Sequence, residues 1–98
     1  MQLTVKQKRT LRAKGHHLKS AVNVGKQGLT PPMLEHVEDQ LLAHELVKVK
    51  LLKTCPLDLP SLTEAITQAT GAAVAQSIGR TVLFYRPRPD APMIVFPK

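Results

Sequence analysis

Two glycines three positions apart, Gly25 and Gly28, enclose Lys26 and Gln27. Glycine has no Cβ, so at this spacing the backbone can turn sharply and another chain can come close to it. Lys26 puts a mobile cation at the tip. Directly behind stands Thr30-Pro31-Pro32, a helix start, because threonine caps well and a first helical turn has no intrahelical use for the N–H groups that proline lacks. A helix N-terminus behind a glycine loop carries partial positive charge and suits a phosphate, although the two prolines withdraw two of its donors. The chemistry on offer is binding of a phosphodiester backbone, in the strand-to-helix setting that KH-type modules use to clamp nucleotides. The loop does not match a nucleoside triphosphate P-loop, which needs Lys directly after the second glycine and then Ser or Thr; here Leu29 and Thr30 follow.

The cations around this loop are unevenly placed. From Met1 to Gly28 there are seven (Lys6, Lys8, Arg9, Arg12, Lys14, Lys19, Lys26) and no acids, whereas Leu29 to Val47 holds four acids (Glu35, Glu38, Asp39, Glu45) and no Lys or Arg. A molecule with one basic side follows. Lys8, Arg9 and Arg12 on a first helix, Lys19 at its exit, Lys48 and Lys50 on a strand, and Arg80 and Arg86 in a closing hairpin join the four loop residues as candidate contacts. The alternation that exposes Lys48 and Lys50 is equally what a half-buried strand requires, whereas for Lys8, Arg9 and Arg12 the basic neighbourhood favours RNA contact over a merely wet helix face. No nucleophile has a base and an orienting acid beside it, so no catalytic residue is assigned. His16, His17, His36 and His44 have no ligand-like cluster, and Cys55 stands alone; neither metal nor any other cofactor is implied.

The elements that must position these residues can be read from periodicity. Leu3, Gln7, Leu11, Lys14 and Leu18 share one side of a helix, with Lys8, Arg9 and Arg12 opposite; Gly15 is expected to end it in a left-handed conformation. A strand is expected at Ala21-Val22-Asn23-Val24. A second helix from Thr30 packs Met33, Leu34, Val37 and Leu41 inward and shows Glu35, Glu38 and Asp39 outward. Leu46 to Leu52 reads as a strand with Val47, Val49 and Leu51 on its core face. A third helix is expected from about Ser61 to Thr70, with Ser61 and Glu64 as a capping box and Gly71 as its stop. Val74–Ile78 and Thr81–Arg86 form strands across a Gly79-Arg80 turn. The order is α-β-α-β-α-β-β, an α/β sandwich on a four-stranded mixed sheet: crossovers make strands parallel, and the closing hairpin is antiparallel. Proline-rich residues from about 87 onward read as a tail.

Composition bounds the rest. With 98 residues, 43% of them apolar, the chain makes one domain over residues 1–98. Only 3% are aromatic, so a site built from rows of stacked bases is poorly supplied. Fourteen Lys and Arg against seven Asp and Glu give a net charge of +7, which favours a polyanionic partner. A single cysteine and no apolar run of signal or membrane-span length give the cytoplasm as the default location. No long apolar face remains once helices cover the sheet, so a monomer is expected.

These residues resemble a family, the bacterial YhbY-like proteins with a single CRM domain, the module of chloroplast RNA splicing and ribosome maturation. The resemblance runs through Lys6-Gln7-Lys8 and Leu18-Lys19, the Gly25-Lys26-Gln27-Gly28-Leu29-Thr30 loop, His44-Glu45-Leu46-Val47-Lys48-Val49-Lys50, and Ile78-Gly79-Arg80-Thr81-Val82-Leu83-Phe84-Tyr85-Arg86-Pro87. It implies a fold like the C-terminal domain of translation initiation factor three. It also implies RNA binding through the glycine loop and neighbouring cations, and association with ribosomal RNA in large-subunit precursors during ribosome assembly; the residues themselves give no expectation of a membrane, a small-molecule substrate or enzymatic activity. Two other functions remain open on the residues alone: a general single-stranded nucleic-acid binder, and a protein-protein adaptor working through the acidic second helix.

Overall fold

The computed structural model describes residues 2–90, 92–94 and 96. Seven elements run in the expected order: α1 (Val5–Gly15), β1 (Val22–Val24), α2 (Pro31–His44), β2 (Leu46–Leu51), α3 (Leu59–Thr70), β3 (Ala73–Ile78) and β4 (Thr81–Tyr85). The sheet is ordered β1-β2-β4-β3, with β1 parallel to β2 and the other pairs antiparallel. The β1-α2-β2 crossover enforces the parallel pair.

Helices cover both faces of this sheet. Against α2 and α3 lie Val22, Val24, Val47, Val49, Leu51, Val82 and Phe84, packed on Val37, Leu41, Leu62 and Ile66. Against α1 lies a smaller cluster of Leu46, Ala75, Leu83 and Tyr85 around Leu11. Strand β4 is thus buried on both sides, and its unbroken Val82-Leu83-Phe84-Tyr85 run is what a doubly covered strand requires. Each such large side chain contributes about 1.5–3 kcal/mol on burial.

Local sequence sets the helix ends, in two places otherwise than expected. Thr4 caps α1 in a capping box with Gln7, and Thr30 caps α2 with Pro31 and Pro32 in its first turn. Helix α3 begins earlier than Ser61: Asp58 is its N-cap and accepts the Ser61 N–H at 2.9 Å. A carboxylate caps at least as well as a hydroxyl, and Pro60 is preset for the first turn, so the Ser61/Glu64 capping box does not form. Hydrogen bonds from Ser61, its hydroxyl first and its N–H second, hold the Asp58 carboxyl below its ordinary range. Gly71 ends α3 in the left-handed conformation, φ 74°. Gly15 does not do so for α1: it stays helical and buried, and the right-handed cap is His16. The reason is contact, since a Cβ on Gly15 would stand 2.5 Å from Leu83 Cδ2. Glycine here lets the helix lie close on the sheet.

The described residues of the proline-rich end, 86–90, 92–94 and 96, form a strap rather than a free tail. Strand β4 stops at Tyr85, and the Arg86 N–H bonds to the Glu45 carbonyl at 3.0 Å. The Glu45 carboxylate, fully buried at the end of α2, accepts the N–H groups of Arg88 at 2.5 Å and of Met93 and Ile94 at 2.8 Å each. Phe96 meets Tyr85 edge to face. Glu45 holds φ 64°, strained for a side-chain residue, and three hydrogen bonds to a charged acceptor offset that strain. Burial, and then the nearby Glu45 charge, raise the Tyr85 hydroxyl above its ordinary value.

Candidate nucleic-acid interface

The glycine loop leaves β1 where that strand is pinned to β2, with Leu52 N–H bonded to Val24 O at 2.9 Å. Gly28 N–H then closes on Gly25 O at 2.9 Å, which leaves Lys26 and Gln27 exposed at the tip. The two glycines have different tasks. Gly28 is buried at φ 70°, and a Cβ there would meet Pro56 at 3.6 Å; it shapes the turn from within. Gly25 is half-buried, against Leu52. Behind the loop the helix end is closed: Pro31 and Pro32 have no N–H, Met33 N–H is taken by the Thr30 hydroxyl at 3.4 Å, and Leu34 N–H by the Thr30 carbonyl at 3.0 Å. A phosphate at this loop is left with the tip, namely Lys26, Gln27 and their backbone.

A larger basic surface lies on the α1 side of the sheet. Side chains alternate across β2, so Val47, Val49 and Leu51 face α2 and α3 while Lys48 and Lys50 emerge on the other face. Helix α1 covers only part of that face. Beside it runs an open groove of about 820 Å³, where Arg12 of α1, its cap His16 and Lys19 of its exit meet Lys48, Lys50 and Thr81. Among the described residues no carboxylate lines it. The Lys48 ammonium bonds to Leu18 O at 2.9 Å, which fixes the exit of α1 against β2 and leaves two of its N–H donors for a ligand. Lys8 reaches a second groove with Arg12, between α1 and β3.

Not every expected contact joins this surface. Arg9 is exposed on α1 but lines neither groove. Arg80 is exposed in the hairpin turn, and its carbonyl accepts Leu51 N–H at 2.7 Å. Because Leu51 pairs with Val24, Arg80 shares the loop end of the sheet with Gly25. Arg86 lies elsewhere: its guanidinium bonds to Thr70 O at 2.7 Å and pairs with Glu38, tying α2 to the end of α3. It has the same strand parity as Val82 and Phe84, whose face the helices cover. His16 lines the groove although sequence reading left it out, and its signal is the single helical turn from Arg12. Among the described residues no group of three His, Cys, Asp or Glu could hold a metal ion.

Fold and surface together define an α/β sandwich of three helices on a four-stranded mixed sheet, with one basic face. The chain belongs to the CRS1/YhbY (CRM) domain family, whose model matches residues 3–86. It is 37% identical over 95 residues to the Bacillus subtilis protein named "Probable RNA-binding protein YqeI", covering 97% of this chain and 99% of that one. A Haemophilus influenzae protein named "RNA-binding protein" is 38% identical over 89 residues, 91% of this chain and 90% of its own. The solution structure of a Staphylococcus aureus protein superimposes with a TM-score of 0.79 at 33% identity, covering 98% of this chain and all of the other.

Proposed function

We propose that this protein binds RNA on its α1-side face and, as a monomer without cofactor or catalytic activity of its own, attaches to ribosomal RNA in large-subunit precursors during ribosome assembly. The observation that carries the RNA reading is the groove itself, where Arg12, Lys19, Lys48 and Lys50 come together from three parts of the chain with no acid among the described lining residues. Such a track suits a phosphodiester backbone. The exposed Lys26-Gln27 tip and Arg80 extend cationic character to the loop end of the sheet. Relatives named as RNA-binding proteins support the same reading. The assembly role rests on the family resemblance.

The test is to sediment extract from cells expressing the tagged protein at near-native level and to measure binding of the purified protein to large-subunit rRNA fragments and to random RNA of equal length. Co-migration with particles lighter than the mature large subunit, and tighter binding to the rRNA fragments at matched salt, are expected. Equal affinity for rRNA and random RNA would make it a general single-strand binder. A partner retained at high salt without RNA would make it an adaptor.

A further inference from the structure

A second hollow opens off the basic groove. It occupies about 460 Å³ between the exit of α1, the last turns of α2 and the C-terminal strap, within the roughly 300–1,000 Å³ typical of small-ligand sites. Its walls are aliphatic: Leu18, Ala21, Leu46, Val47 and Ile94. Ile94 is there because the buried Glu45 carboxylate holds its N–H at 2.8 Å. Gln40 and His44, one turn apart on α2, supply the polar groups, and Lys14, Lys19 and Lys48 supply charge. Among the described residues no carboxylate lines the hollow. It shares Leu18, Lys19 and Lys48 with the basic groove, so a chain lying along the groove passes its mouth.

We propose that this hollow takes one unstacked nucleobase of an RNA strand whose flanking phosphates lie on Lys14, Lys19 and Lys48. A base is a flat, largely apolar body with a hydrogen-bonding edge, carried on a backbone of anions, and the hollow offers the complement of each part. Aliphatic side chains enclose its faces. The Gln40 amide can both donate and accept at a base edge, and the imidazole of His44 adds a further partner. The cations stand with the sugar-phosphate. RNA-binding proteins read single strands in this manner, by splaying a base out and bonding its edge. With three aromatic residues in the chain and none lining this hollow, enclosure by aliphatic walls takes the place of ring stacking.

The inference rests on the RNA-binding reading above, and the experiment separates the two. Binding of a short labelled oligouridylate and of an abasic oligomer of the same length and charge is measured by fluorescence anisotropy at matched salt. The parent protein should prefer the base-bearing strand by about tenfold, the scale of one or two hydrogen bonds at a base edge. A Gln40→Ala/His44→Ala double variant should lose that preference and keep its affinity for the abasic strand. His44 is exposed and Gln40 half-buried, so the fold should survive, and circular dichroism checks this. Equal binding of both strands by the parent overturns the nucleobase site while RNA binding stands. Binding of neither strand removes the RNA reading and the site together. A double variant that keeps the preference also overturns the site. If instead a short acidic peptide with apolar side chains binds the parent, and only that binding is lost in the double variant, the hollow is a peptide site and the proposal falls.

Discussion

At Gly15 a missing methyl group decides how closely a helix lies on a sheet. Replacing it by alanine should gain about 1 kcal/mol of helix propensity, but the new Cβ would stand 2.5 Å from Leu83 Cδ2 in a packed core, an overpacking worth about 1–3 kcal/mol. Gly15→Ala is therefore expected to lower stability in urea unfolding. With Leu83→Ala already in place the obstacle is gone, and the same substitution should become stabilising. A double-mutant cycle reads this reversal directly, and additivity of the two changes would disprove the contact. In the sequence Gly15 could be read as a stop signal but not as a spacer, because the residue it makes room for lies far along the chain. Glu45 was hidden for the same reason. It stands between a helix and a strand and looks solvated, yet its carboxylate partners lie 43 to 49 positions away.

Elements were far more legible than such contacts. Alternation in β2 separated the core valines from Lys48 and Lys50, and the 3.6-residue repeat placed Val37 and Leu41 in the core. What the pattern lacked was direction. Strand parity puts Arg86 with Val82 and Phe84, and only the observation that α2 and α3 cover that face turns the residue from a candidate RNA contact into a tie between two helices. The glycine loop teaches a similar lesson. Its location was plain from two glycines before a helix cap, but which glycine faces outward depends on Pro56, which packs over Gly28. Gly28→Ala should therefore act on stability: a left-handed alanine costs about 1–2 kcal/mol. The melting temperature should fall by several degrees, whereas Lys26→Ala and Gln27→Ala at the exposed tip should leave it unchanged. An unaltered melt for Gly28→Ala would show that the turn relaxes freely and that position 28 has no structural task.

For the molecule as a whole, sequence blocks of opposite charge become opposite faces. The acids of α2 line a groove with the end of α3, on the far side of the sheet from the track of Arg12, Lys19, Lys48 and Lys50. A net charge of +7 would pull any polyanion inward, but this separation makes the response to substitution depend on the face. Lys19 and Lys50 are exposed, so neutralising them should not unfold the protein. If each meets one phosphate of a single strand, Lys19→Ala/Lys50→Ala should flatten the dependence of log affinity on log salt by about 1.4, at about 0.7 per contact. Glu35→Gln/Asp39→Asn changes the net charge by the same amount with the opposite sign, yet those side chains lie on the other face, where salt screens them from bound RNA. Their slope should match the parent. The measurement is a set of RNA-binding titrations from low to moderate salt on all three proteins. If both pairs change affinity by equal amounts in opposite directions and neither changes the slope, overall charge governs binding, and the groove is not the path of the RNA backbone.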